Sequence, residues 1–336
     1  MTATASSACA GLVRPVLLVL MLVGSACSVG EETLGERAWD TGAAAPTPRT
    51  EVSAAADSGR IYISGGFVEG GASTGAVEIY DVEEDSWSSG PPLPLMLNHA
   101  MSATLGGEVY VVGGYRGPGL SRPSNRAFVL RDGAWEELAP MPEPRAAAGA
   151  ASAGGLLFVV GGVGPNGLAE STLLWDPARQ RWAVAPGPAV LRQHLGVTAL
   201  DGFVYAVGGR TGGLNTNLDA FERFDVRAAR WERLPDLPTA RGGLAAASGA
   251  GLVVAVGGEA EATFSEVEAF DVGRSRWRAL PQLLTPRHGL GVVTLGSKLY
   301  VVAGGTEPGL TFSRAIEVLD LRRVAPDRPR ALSLAR

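Results

Sequence analysis

The feature that most restricts this chain is a pair of glycines that closes an apolar run and returns at a nearly constant interval. Doublets at Gly65-Gly66, Gly113-Gly114, Gly161-Gly162, Gly208-Gly209, Gly257-Gly258 and Gly304-Gly305 follow runs such as Leu156-Leu157-Phe158-Val159-Val160, in steps of 47 to 49 residues. A period of that length marks an array of small similar units, each burying its apolar surface against its neighbours. Gly70-Gly71 and Gly212-Gly213 follow no apolar run and stand outside the series. The 46 glycines in 336 residues are about twice the usual share of ~7%, as many tight turns require. Six similar units argue for one closed body rather than separate domains.

Each unit reads as four strands. The first is small and apolar, as in Arg145-Ala146-Ala147-Ala148-Gly149-Ala150-Ala151-Ser152, and ends at the turn Gly154-Gly155. Counterpart turns start at Ser58, Gly106, Asp201 and Ala250, seven residues before their doublets, whereas Gly296-Ser297 starts one residue earlier. These residues tolerate the positive φ that hairpin turns need. The second strand is apolar on both faces, as a sandwiched strand should be. The third alternates and ends in aspartate: Val77-Glu78-Ile79-Tyr80-Asp81, Glu222-Arg223-Phe224-Asp225 and Glu268-Ala269-Phe270-Asp271 are examples. The fourth carries a tryptophan, giving the series Trp39, Trp87, Trp135, Trp182, Trp231 and Trp277. Buried between sheets, such indoles would dominate the contact energy, at about 3–5 kcal/mol each.

This ordered set (apolar run, Gly-Gly, Tyr/Phe-Asp, Trp) resembles the kelch repeat over roughly residues 37–321. The resemblance implies an all-β, six-bladed β-propeller with four antiparallel strands per blade. Two departures stand out. The second unit has Phe128-Val129-Leu130-Arg131 in place of the aromatic-aspartate pair, and the last has no tryptophan after Asp320, where Pro326 falls instead. At the other end, Arg37-Ala38-Trp39-Asp40 precedes any doublet as an orphan fourth strand. Residues 37–41 are therefore expected to pair with residues 315–321 and leave no open edge.

The ends read differently. Residues 1–27, with Arg14 before Pro15–Val23 and the small residues Gly24-Ser25-Ala26, resemble a secretory leader. Its apolar run is too short for a permanent membrane span. Cys27 resembles the lipid-modified cysteine of bacterial lipoproteins, although Gly24 stands where such boxes usually carry leucine; ordinary cleavage after Ala26 is the alternative. An exported protein is expected, lipid-anchored in the cell envelope or free in the periplasm or outside the cell. Residues 28–36 read as a tether and 322–336 as a C-terminal tail. The only cysteines are Cys9 and Cys27, so packing and strand pairing must close the fold.

The loops after each doublet share a face with the loops entering the next blade, and variable loops on a rigid scaffold are where binding usually resides. Ten residues after the tryptophan an arginine recurs: Arg49, Arg145, Arg192, Arg241 and Arg287, with Leu97 in the second unit. The three histidines, His99, His194 and His288, and Glu51 fall within two residues of this phase. In a propeller these positions lie at the mouth of the central channel. An arginine ring there would attract carboxylates or acidic peptides; alternatively each guanidinium bonds the carbonyls of the preceding loop. Histidines on alternate blades lie about 120° apart around a six-fold ring, so no metal or other cofactor is expected unless the channel is unusually narrow.

No nucleophile elbow, HExxH or helix-opening glycine loop is present, and a net charge of −5 without basic clusters argues against a nucleic-acid surface. The expectation is a monomeric, non-catalytic scaffold that binds a protein, peptide or glycan through the loop face and the mouth, with Arg49, Glu51, His99, Arg145, Arg192, His194, Arg241, Arg287 and His288 as contacts. The alternative is an acidic-sugar mutarotase. Bacterial sialic acid mutarotases are exported six-bladed kelch proteins whose mouths carry Arg, His and Glu, similar in kind to Arg49, Glu51, Arg192, His194, Arg287 and His288. Galactose oxidase, another kelch protein, needs a tyrosine cross-linked to a cysteine, and no cysteine follows Cys27 here.

Overall fold

A computed structural model describes residues 38–324. The leader, Cys27, the tether, Arg37 and most of the tail, including Pro326, lie outside the described residues. Six four-stranded antiparallel sheets form the blades of a propeller. In the first blade the strands run from the axis outward as Ser53–Asp57, Arg60–Ser64, Val77–Asp81 and Ser86–Ser89. The sixth takes Gly291–Leu295, Lys298–Val302 and Ile316–Asp320 from the end of the chain and Trp39–Thr41 from its beginning. Trp39 pairs with Leu319, Asp40 with Val318 and Thr41 with Glu317, so the ring closes between the two ends as the orphan strand predicts. Helix is confined to Leu321–Val324 and a single 3₁₀ turn at Leu214–Thr216 among the described residues. None of these residues forms a helix long and apolar enough to cross a membrane.

The inner strands are small because six of them converge on the axis. A Cβ on Gly149 would lie 2.3 Å from Val197 Cγ2, so glycine is needed there to let two inner strands approach. Hydroxyl groups stitch neighbouring inner strands together: Thr104 donates to the Ala56 carbonyl (2.8 Å), Ser152 to Thr104 (2.7 Å) and Thr294 to Ser248 (2.7 Å). The second strands are apolar through their centres because neighbouring blades cover both faces. Leu157, Val159 and Leu173 pack on Tyr110, Val112 and Val129 of the blade before, while Phe158 and Val160 pack on Val204, Ala206 and Phe224 of the blade after.

The tryptophans play a mixed role. Only Trp39 in the series is buried; the other five are half-buried on the outer strands. Every indole N–H in the series donates to a carbonyl at or just past the end of the outer strand of the preceding blade, including Trp135 to Pro91 (2.7 Å), Trp231 to Pro186 (2.9 Å) and, across the closure, Trp39 to Pro281 (3.0 Å). These indoles therefore add a directed polar tie to partial apolar burial.

The doublet of the last blade is corrected by one residue. Ala303 and Gly304 (φ 57° and 100°) occupy the paired left-handed positions, and Gly305 is the residue after them. The turn at Gly296-Ser297 then sits seven residues ahead, in step with the other blades.

Candidate functional site

The five arginines expected around the mouth are instead sealed into the blade walls. Arg49, Arg145, Arg192, Arg241 and Arg287 have no exposed surface. Each donates to the carbonyl of the first doublet residue sixteen positions on: Gly65, Gly161, Gly208, Gly257 and Ala303 respectively. Four also pair with a buried glutamate on the third strand: Arg49 with Glu78 (2.7 Å), Arg192 with Glu222, Arg241 with Glu268 and Arg287 with Glu317 (3.0 Å). Arg145 uses Glu143 (3.0 Å). A doublet in left-handed backbone turns its carbonyls inward, and the guanidinium fork supplies the donors that water cannot. Burial of this kind keeps the arginines from touching a ligand in the channel.

Two residues beyond each arginine position the chain reaches the channel. Glu51, His99, Ala147, His194, Gly243 and Gly289 occupy equivalent places, all with φ between 49° and 69°. Their backbones bond from blade to blade: His99 N–H to Glu51 O, Ala147 to His99, His194 to Ala147, Gly243 to His194 and Gly289 to Gly243, over 2.8–3.1 Å, with Val52 completing the circle on Gly289 (3.3 Å). A channel of about 330 Å³ is lined from this hydrogen-bonded ring through the small residues of the inner strands to Ala56, Thr104, Ser152, Ala199, Ser248 and Thr294 on the turn face.

At the ring the side chains meet across the axis. His99 Nε2 lies 3.0 Å from Glu51 Oε2 and 3.0 Å from His194 Nε2. The expectation that alternate blades hold their histidines apart fails because Ala147, between them, is too small to intervene and the rings reach over it. His288 does not join this pair. Its Nδ1 lies 3.3 Å from Glu51 Oε1 and 3.4 Å from Glu259 Oε2, and its Nε2 is 3.1 Å from the Glu307 carbonyl. Arg210 donates to Glu259 Oε1 (2.9 Å) and completes the cluster. The glycines at two ring positions make this possible, since a Cβ on Gly289 would lie 2.6 Å from Glu51 Oε1. Phe67 and Tyr115 stand edge-on to His99 and fix its ring.

Electrostatics divide the cluster. Burial drives the pKa of both His99 and His194 below the ordinary histidine value; Glu51 partly offsets this at His99, and the His99 neighbour adds to it at His194. Burial would raise the Glu51 carboxyl, but His99 and the hydrogen bond and charge of His288 outweigh it and hold it well below the usual carboxylate range. Burial also opposes charge on His288, yet Glu51 and Glu259 together raise it. The site thus combines one imidazole whose charged form is favoured, His288, with two whose neutral forms are favoured, His99 and His194. Two sets of donor atoms close enough to hold a metal result, Glu51–His99–His194 and Glu51–Glu259–His288, each within 4.8 Å.

Arg210 and Glu259 escape a reading of the sequence, although both directly follow a doublet. In structural register that position holds Phe67, Tyr115, Val163, Arg210, Glu259 and Gly305, so an abrupt change from apolar to charged was the available signal.

Comparison with known proteins agrees with the architecture. A solved structure entitled "Structure of YjhT" aligns with a TM-score of 0.70 at 18% identity, covering 82% of this chain and 99% of that one; at this identity the likeness concerns the fold. The F-box/kelch-repeat protein At1g16250 of Arabidopsis thaliana is 30% identical over 71 residues, a match spanning 21% of this chain and 18% of that protein. A family model described as "Kelch motif" matches residues 48–94. The model described as "KLHDC2/KLHL20/DRC7 Kelch-repeats domain" matches residues 98–305, more than half of the chain. With six blades, their repeated doublets and the two family matches in agreement, this chain belongs to the kelch-repeat family.

Proposed function

We propose that the protein is a non-catalytic, exported binding scaffold that takes a protein, peptide or glycan on the face carrying the doublet loops. One observation carries this reading. Of the six exposed large apolar side chains among the described residues, Met96, Leu120, Leu214, Leu284 and Leu310 stand on loops of that face, and Val184 lies elsewhere, on an outer strand. Apolar side chains gathered on one face of a rigid body suit a macromolecular partner, while scattered ones need no explanation. The leader-like residues 1–27 support export. Probing peptide and glycan arrays tests the proposal: binders should be lost from a Leu120→Ser/Leu214→Ser/Leu310→Ser variant and kept by Val184→Ser. Binders indifferent to the loop variant would overturn it.

A second reading, proton transfer on an acidic sugar, draws on the contacts among Glu51, His99 and His194. It lacks the anion clamp such a substrate needs, since the five wall arginines are enclosed and Arg210 is engaged by Glu259. Ring-opening kinetics on sialic acid and uronates decide between the two, with acceleration abolished by Glu51→Gln as the result favouring an enzyme.

A further inference from the structure

We propose that Glu51, His99 and His194 form a binding site for a divalent first-row transition ion of the zinc class, at the loop-side end of the channel. This goes beyond the partner-binding reading and rests on different residues.

The hydrogen-bond network around His99 places its imidazole proton. Ser73 donates its hydroxyl to the Gly117 carbonyl (2.6 Å), so it accepts from Asn98 Nδ2 (2.8 Å). That contact orients the Asn98 amide and turns its Oδ1 to His99 Nδ1 at 2.6 Å. Nδ1 of His99 therefore carries the proton and Nε2 presents a lone pair. Gln193 places its Oε1 3.1 Å from His194 Nδ1, the contact that an Nδ1–H tautomer of His194 satisfies. The outcome is two lone pairs 3.0 Å apart with a carboxylate oxygen 3.0 Å from one of them. With both imidazoles neutral and protonated at Nδ1, three acceptors converge with no N–H between them. A cation resolves that arrangement. Metal–ligand distances of about 2.0–2.1 Å place the donors of a tetrahedral shell roughly 3.3 Å apart, close to the spacing found here.

The surroundings are those of a built site. His99 and His194 are 7% and 8% exposed, and each is backed by an amide oxygen, the outer contact that fixes tautomer and ring orientation in metal-ligating histidines. His288 holds the other oxygen of Glu51, so the carboxylate cannot swing away. Two imidazoles and one carboxylate suit zinc and its divalent neighbours better than calcium or magnesium, which prefer all-oxygen shells. The channel side leaves a fourth position for water or a small ligand.

Calorimetric titration of zinc chloride into tag-free, chelator-stripped full-length protein tests this. One ion per chain should bind, and cobalt(II) should give a visible absorption band. His99→Ala and His194→Ala should each weaken binding at least 100-fold, and Asn98→Ala by 10- to 100-fold. Alanine is already the natural residue at the equivalent Ala147, with φ 50°, so the histidine variants keep a backbone the ring accepts, and their melting curves check it. Failure of the wild type to take up stoichiometric metal, or uptake unchanged in both histidine variants, would overturn the assignment.

Discussion

The arginine layer and the ring two residues beyond it are neighbours in the chain and opposites in design. The first repeats: five guanidinium groups do one task, each sealed against a doublet carbonyl and a carboxylate. The second keeps its backbone constant and varies its side chains through Glu, His, Ala, His, Gly and Gly. Only the second reaches the channel. What recurs in every blade serves the framework, and what breaks the pattern supplies chemistry. The second blade confirms the distinction from the other side. Where four of the others place an arginine against a third-strand glutamate, it packs Leu97 on Phe128, both without exposed surface, and the blade still forms.

The sharpest way to break this contrast is to damage the framework layer. Arg241→Ala would leave Glu268 buried without its partner and should lower unfolding free energy by about 3–5 kcal/mol, measured by denaturant titration. Arg241→Leu with Glu268→Phe, copying the second blade, should recover most of that loss, since an apolar pair can replace a buried ion pair at little cost. Trp39→Ala, which empties the one buried indole of the series at the closure, should cost about 3 kcal/mol. In the ring the effects are smaller and of another kind. Gly289→Ala should cost about 1–2 kcal/mol, from a strained φ of 56° and the clash with Glu51, and should weaken zinc uptake as well. His99→Ala should change stability by less than about 1 kcal/mol while abolishing uptake; a loss as large as that of Arg241→Ala would erase the distinction between the layers.

Acidity gives the mildest test. In chelator-treated protein burial lowers the pKa of His99 and His194, so the unfolded chain takes up protons more readily than the folded one and stability falls as pH drops below the ordinary histidine value. Glu51, with its lowered carboxyl, adds to the loss further down, as pH passes below the ordinary carboxylate range. His288 acts in reverse, its contribution full in acid and lost as pH rises through its raised value; Arg210 and Glu259 complete the charges facing the cluster. Two histidines against one should leave a lower melting temperature at pH 5 than at pH 7.

Most of the architecture is legible in the chain because doublets, aspartates and tryptophans follow local backbone rules that recur. The sixth doublet misleads because Ala303 adopts a left-handed φ that a reader assigns to glycine, and Gly304-Gly305 offers a tempting substitute. The arginine phase is equally plain, but its purpose depends on third-strand glutamates some 27–30 residues downstream, which local patterns do not link. The meeting of His99 with His194 is harder still. It depends on the radius of the backbone ring at Ala147, set by bonds between blades, and on Asn98 and Gln193 holding the rings from behind. Nothing in spacing alone reports that radius.

The pairing of Trp39–Thr41 with Glu317–Leu319 has a temporal consequence. Trp39–Thr41 precedes the other five blades in the chain and its partner strand follows them, so five blades can assemble while the sixth waits for Ile316–Asp320 to be synthesised. Until then the ring is an open crescent, and Trp39–Thr41 has no strand to pair with. Closure therefore follows synthesis of all the other blades, and its rate is governed by how quickly two segments far apart in the chain find each other.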